Sequence, residues 1–318
     1  RLETGFGLDL EDGEWAQTIS VTQFNAWDVS WHTRARHRDL GRQRERVLGE
    51  ELRYIEEAFP DDNAWHIDLE GWRTDLYVSR GIGDLTLSAA IPWIEIGGPN
   101  WDKFAEGFHS TFGLNRLGRE QFPRSETFLY LKSAGNETII EARDGLNRSG
   151  LGDVTFAVGA PLGERWHGTH QVVGTVQAPL GESGTLLGSG GWDLGVTWYG
   201  TWRGSVSTYK LAAGYTWLDP GGSFLGTDRS EHLGHLLLDI DRPLWFGFHG
   251  SAGVRIDSSP LLEVMEADPG YPATFYRFSL LREVAGTWVG FTFGNALLPQ
   301  TGLEADWTVS LTAGNLLH

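Results

Sequence analysis

Apolar and polar side chains alternate along most of this chain. Over 84–94, Leu85, Leu87, Ala89, Ile91 and Trp93 are separated by Thr86, Ser88, Ala90 and Pro92. Leu194, Val196, Trp198 and Trp202 alternate with Asp193, Gly195, Thr197, Tyr199, Thr201 and Arg203. Tyr209, Leu211, Ala213, Tyr215 and Trp217 alternate with Lys210, Ala212, Gly214 and Thr216. The same period returns at Tyr276, Phe278, Leu280 and at Trp307, Val309, Leu311, Ala313. Successive strand side chains point to opposite faces, so each segment predicts a strand with one apolar and one polar face.

Twelve such strands are predicted: Glu14–Trp31, Trp65–Ser79, Leu85–Ile94, Val154–Leu162, His170–Leu180, Trp192–Arg203, Val206–Trp217, Leu233–Asp241, Phe246–Ile256, Thr274–Arg282, Trp288–Leu297 and Asp306–Leu316. The links after even-numbered strands are short; those after odd-numbered ones are mostly longer, reaching 32–64 and 96–152. An even strand number, alternating link lengths and both termini at one end are what a bacterial transmembrane barrel requires. The expected fold is therefore all-β: one closed antiparallel barrel domain over 1–318, opened by a periplasmic segment at 1–13, with the long loops outside. A soluble β-sandwich would also alternate. Two features favour the barrel: a polar face rich in Gly, Ala, Ser and Thr, as a narrow lumen needs, and aromatics near strand ends (Trp15, Trp31, Trp93, Trp192, Trp217, Trp245, Trp288, Trp307), where interfacial girdles lie.

Composition narrows the picture further. No run approaches the roughly eighteen apolar residues of a transmembrane helix; 89–96 is interrupted by Pro92 and Glu95. A secretory leader, where encoded, is expected to have been removed before Arg1. With no cysteine there are no disulfides, thiolate metal sites or cysteine nucleophile. The net charge of −17 argues against binding nucleic acid.

Two loops carry elements of their own. Val47, Leu48, Leu52, Ile55 and Phe59 recur at three- and four-residue spacing and predict a helix over Leu40–Phe59, packed on the rim or offered to a partner. In the second loop a short helix is predicted over Trp101–Phe112 and a hairpin over Lys132–Glu141. That loop holds Phe104, Phe108, Phe112, Leu114, Leu117, Phe122, Phe128 and Leu129, too much apolar surface to leave in water. Gly107–Ser125 is therefore expected to fold over or into the lumen as a plug, with Glu106 and Arg116 paired to polar wall groups and Phe108, His109 and Phe112 in the constriction.

Phe104, Glu106, Gly107, Phe108, His109, Phe112, Gly113 and Leu114 form an aromatic-x-Glu-Gly-Phe-His-x-x-Phe-Gly-Leu motif, flanked by RGIGDLTLSAAIPWIEIGG at 80–98 and SGLGDVTFAVGAPL at 149–162. From about Glu70 to the last strand the chain thus resembles the Gram-negative outer-membrane proteins grouped as domain of unknown function 3187. The resemblance implies a signal-bearing precursor and a membrane barrel, and no reaction. Two departures stand out: a long 32–64 insertion, and a last strand ending Asn315-Leu316-Leu317-His318 without a terminal aromatic, read as a trimmed end or an atypical assembly signal.

If the parity holds, Leu87, Trp198, Leu211, Phe278 and Val309 face lipid. The lumen then receives Arg73, Arg203, Lys210, Arg255 and Arg277 with Asp75, Asp193, Asp239, Asp241 and Asp257, a balance that suits ion pairs bracing the interior or a polar solute path better than a one-sign ion filter. His109-Ser110 raises the idea of an outer-membrane hydrolase, but no second half of a triad can be placed. His235 and His249 lack a third metal ligand. The carboxylate clusters at Asp61-Asp62 and Glu263, Glu266, Asp268 lack calcium-loop spacing. Gly81–Asp84 and Gly150–Asp153 read as turns needing positive φ. The expectation is an integral protein of the bacterial outer membrane, not an enzyme, with no cofactor and no metal: a passive channel for a small solute, or else a closed barrel whose loops bind an envelope or extracellular partner. Its surroundings would be outer-membrane lipid and lipopolysaccharide.

Overall fold

Alternating segments of this kind have unpaired backbone on both edges, and the chain satisfies them by closing into a ring. The computed structural model describes residues 10–41, 43–97, 106–107, 110–111, 119–124, 127–132, 135, 138–142, 147–182, 185–222, 231–258, 273–296 and 307–317. Along it run β1 (Trp15–Val29), α1 (Trp31–Asp39), α2 (Gly49–Ala58), β2 (Ala64–Ile82), β3 (Leu85–Ile96), β4 (Phe128–Lys132), β5 (Thr138–Ala142), β6 (Ser149–Leu151), β7 (Val154–Arg165), β8 (Gly168–Ala178), β9 (Asp193–Arg203), β10 (Thr208–Leu218), β11 (His232–Pro243), β12 (Phe248–Asp257), β13 (Ala273–Val284), β14 (Thr287–Ala296) and β15 (Trp307–Leu317). Twelve of these strands form a closed antiparallel barrel; β4, β5 and β6 are short additions from the second long loop. Closure is made by β1 on β15, from Trp15 opposite Leu317 to Asn25 opposite Trp307.

The short links and both described chain ends lie at one end of the barrel, the long loops at the other. Two of the short links, Trp166-His167 and Ala285-Gly286, have positive φ at both residues, the hairpin turn whose twist matches the strands it joins. The faces follow parity. Ile19, Leu238, Phe278 and Leu311 are 47%, 50%, 54% and 60% exposed, whereas Thr18, Asp239 and Thr312 on the opposite parity are 5%, 4% and 8% exposed. An apolar outside and a polar inside invert the arrangement of a soluble domain.

The first long loop differs from the expected single helix over Leu40–Phe59. Only Gly49–Ala58 is helical there, and a second helix, α1, takes Trp31–Asp39. Gly41 turns the chain with φ +69°, and residues 45–48 form no regular element. Leu52 and Ile55 of α2 pack with the separately buried Val47 against Trp27, Val29, Ala64, Phe122, Phe128 and Tyr130. In the second loop, the expected hairpin is present as β4 and β5. Residues 106–107 and 110–111 of the predicted 101–112 helix are helical; its other residues lie outside the described ones.

β2 is longer than its neighbour β3, and this shapes the upper wall. Above Gly71 opposite Ile96, β2 continues to Ala64, and β4 takes over as its partner from Asp68 opposite Phe128 to Ala64 opposite Lys132. On its other edge β3 pairs with β7 up to Ala90 and with β6 from Trp93. The break falls at Pro92: its carbonyl accepts from Gly152 N–H at 2.9 Å, and its ring nitrogen has no proton to return.

Candidate functional site

Along the inner face, small residues let charged ones reach across strands. The register puts all ten predicted lumen charges on this face. Arg73 lies 2.9 Å from Asp75 and Arg255 2.8 Å from Asp257, each two residues away on its own strand. Arg277 of β13 reaches over β12 to Asp239 of β11, passing Gly253, which pairs with both. A Cβ at Gly253 would occupy the place of the Asp239 carboxylate. Gly214 does the same for Thr197 and His235, whose Oγ1 and Nε2 meet across β10 at 3.2 Å. Lys210 stands opposite Asp239 in the β10–β11 register. Asp193 accepts from Gln177 and from the Asp219 backbone N–H, Asp241 lies 3.9 Å from His249, and Arg203 is exposed at the short-turn end. The charges are spread from Arg203 and Asp241, both opposite Thr208 at the lower end of β10, to Asp193 at the top of β9; they do not form one ring.

The crossing at Gly253 gives a direct test. Gly253→Val should separate Arg277 from a buried carboxylate and cost about 2 kcal/mol of barrel stability in reversible urea unfolding. Ala252→Val, one residue away on the outer face, should change it by less than about 0.5 kcal/mol; equal effects would refute the crossing.

The upper inner wall is apolar. Ala26, Ile67, Leu69, Ile96, Leu129 and Leu131 form a buried cluster, and Leu187 from the β8–β9 loop is packed into it. All share the inner parity. The loop is held by Asp153, whose carboxylate accepts from the Gly181 and Ser189 N–H groups at 2.9 and 2.7 Å and from Ser189 Oγ at 2.8 Å. Gly181 and Gly188 touch so closely that neither has room for a side chain. At the lower end Leu10 packs inside with Ala16, Trp288 and Leu316, and its N–H donates to Thr86 Oγ1 at 3.3 Å.

The predicted plug needs correction where it is described. By register Asn25, Trp27 and Glu70 share the outward parity of Ile19 and Leu76. Arg119 donates to Asn25 Oδ1 at 2.9 Å and to Glu70 at 3.4 Å, and its guanidinium stacks over Trp27. Phe122 packs against Trp27, His37 and His66. Residues 119–122 thus cover the outside of the extended β1–β2 wall instead of entering the lumen. Among the described residues Glu106 pairs with Arg44 at 2.7 Å and Arg124 at 2.6 Å, loop residues and not wall groups, knitting the two long loops together. Burial pushes the Glu106 carboxyl up, but the hydrogen bonds and charges of Arg124 and Arg44 outweigh it and hold it at about 2. Phe108, His109, Phe112 and Arg116 lie outside the described residues. The loop that does fold inward, around Leu187, reads in sequence as a glycine-rich linker; its one signal is the acidic residue closing Gly150–Asp153.

Of the other candidates, His235 and His249 are both inward but stand eight residues apart along the β11–β12 ladder, too far to share an ion. Among the described residues no three His, Asp or Glu side chains group as metal ligands. Asp62 pairs with His32 at 2.9 Å. Glu263, Glu266 and Asp268 lie outside the described residues. Gly83 has the expected positive φ, whereas Gly81 and Gly152 are needed for close approach, to Glu11 and to Pro92 with Ile94.

The model of a family described as "protein of unknown function (DUF3187)" matches residues 58–219. No curated protein matches the chain in sequence. Among solved structures, an outer-membrane channel from Pseudomonas putida F1 superposes with a TM-score of 0.62 at 12% identity, covering 100% of both chains. The NanC porin gives 0.42 at 10% identity over 77% of this chain and 92% of its own. The translocator domain of the autotransporter NalP from Neisseria meningitidis gives 0.43 at 9% identity over 97% and 89%. The architecture is that of an outer-membrane β-barrel.

Proposed function

This chain belongs to the DUF3187 family of proteins of unknown function, and from that premise we propose a passive outer-membrane channel for a small polar solute, integral to the bacterial outer membrane. The observation that carries the reading is the inner face: a polar wall of small residues in which Arg73, Arg255 and Arg277 each have an aspartate partner. Charges neutralised locally hold no large field along the path, which suits a solute of no net charge better than a selected ion. The likeness to the Pseudomonas putida channel supports the reading through the fold alone. The short-turn end with both termini is periplasmic and the long loops are outside, as bacterial barrels are oriented. Leu187, seated on the upper apolar wall and tethered through Asp153, is the constriction.

Purified protein in a planar bilayer should give discrete conductance steps with nearly equal permeability to potassium and chloride. Asp153→Ala should untie the β8–β9 loop and raise the step size or its flicker. Silence from correctly folded protein would favour the second reading, a closed barrel whose ordered outer loops bind an envelope or extracellular partner. That reading has its own observation, the two long loops locked together by Glu106, Arg44 and Arg124.

A further inference from the structure

In a chain of net charge −17, the segment 31–46 carries six arginines against two carboxylates. It forms α1 and the turn after it. Arg38 is largely exposed, Arg46 is exposed and Arg34 is half-buried. Arg36 lies over the Tyr54 ring at 3.9 Å, and Trp31 at the start of α1 is 56% exposed. Arginine in this number, beside an exposed indole, is the composition of a surface that meets anionic headgroups.

Its position says which headgroups. On the outer face Trp93, an exposed indole of the upper aromatic row, is level with Thr74 and Val21. Asn25 and Glu70, the anchors of Arg119, stand four residues higher on the same strands, which at strand rise and barrel tilt is roughly 10 Å above that row. The basic segment is fastened at this level from outside: Arg44 N–H donates to the Gln121 carbonyl at 2.7 Å, and its guanidinium to the Arg119 and Phe122 carbonyls. It therefore hangs beside the wall, over the lipid, and not above the lumen. The sugars and phosphates of a glycolipid stand above the hydrocarbon core, and the segment runs alongside that region, from the level of the Arg119 anchors up to Ser30 at the top of β1.

We infer that α1 and the turn after it are a docking surface for the phosphate groups of a phosphorylated glycolipid of the outer leaflet, of lipid A type. Arg34, Arg38 and Arg46 supply the cations. The guanidinium fork matches a phosphate's oxygens at two points, which a lysine surface does not. The inference rests on the outer-membrane location proposed above but not on conduction, so a silent bilayer recording leaves it standing.

The test titrates full-length protein in phosphatidylcholine nanodiscs with bisphosphorylated lipid A, with the same lipid after phosphatase treatment, with phosphatidylglycerol and with inorganic phosphate. Bisphosphorylated lipid A should bind, and the combined Arg34→Gln, Arg38→Gln, Arg46→Gln variant should lose on the order of tenfold or more in affinity. Wild-type protein should lose a similar factor with the dephosphorylated lipid. Arg165→Gln with Arg242→Gln, exposed at the opposite rim, should bind as wild type does. Equal affinity for the two lipid A forms, or an unchanged triple variant, would overturn the assignment. Phosphatidylglycerol binding as tightly would overturn the glycolipid in favour of any anionic lipid. Full competition by inorganic phosphate would reduce it to an anion site. Heat-modifiable migration checks that the triple variant folds, and should it not, the phosphatase comparison on wild-type protein decides alone.

Discussion

Replacing Arg119 by methionine should strip order from the outer loops while leaving the barrel closed. Its guanidinium, 6% exposed, bonds Asn25 and Glu70 and lies 3.8 Å from Asp68. Those two carboxylates are 4% and 2% exposed. Taking the cation away leaves two buried negative charges on neighbouring backbone with less to balance them, a loss of about 3–5 kcal/mol. The cost falls on a local unit, because Arg119 ties a loop to the top of β1 and β2. Hydrogen exchange should accelerate at the upper amides of β1 and β2 and at α2, and proteases should cut within 40–48. Heat-modifiable migration should persist. Arg38→Met, with a side chain 69% exposed, should do none of this. Equal protection in the two variants would show that Arg119 is not what holds the loops.

Leu238→Arg should be nearly as damaging, and to the barrel itself. Leu238 lies mid-strand in β11 on the outer face, 50% exposed to what the fold makes lipid, between Leu211 and Val254. An arginine at the hydrocarbon midplane costs about 2–4 kcal/mol. Thr216→Arg, on the inner face of β10, enters a polar lumen and should cost much less. Reversible unfolding in lipid vesicles separates the two; equal losses would mean that the faces are reversed.

The barrel was legible because its signal is redundant. Twelve alternations, five short links and parity of the termini each point to it, so an error of a residue or two at any strand end changes nothing. The helices were less so. α1, read as the end of a strand and a loop, has no apolar stripe: its buried side chains are His32, Thr33 and His37, and polar burial leaves no period to find. His37 is held at 3.0 Å by Glu51 and at 3.2 Å by the Gln121 carbonyl, partners that only the folded loops bring together. The apolar content of 96–152 rightly demanded a surface to pack on, but sequence could not say which. Trp27 and Val29 continue the outward parity of Ile19 beyond the lipid, and nothing in the alternation marks where lipid ends and a covering loop begins. Leu187 went unnoticed for the opposite reason. One leucine pair among glycines and serines looks like a tether, and its importance comes from the wall it meets.

The pairing of β1 with β15 has a consequence for how the molecule comes into being. Trp15 must find Leu317 across nearly the whole polypeptide, whereas the widest of the other barrel pairings, Thr86 with Gly159 of β3 and β7, bridges one long loop. Bringing ends about 300 residues apart together costs roughly 5 kcal/mol of chain entropy, paid before any of that ladder's hydrogen bonds form. The hairpins zip locally and early, and the ring shuts last. Until it does, two raw sheet edges and an apolar flank are presented to any other strand nearby. The nascent chain therefore has a vulnerable, open-ended lifetime whose length is set by a single late encounter, and a cell that makes this protein needs something to guard both edges through it.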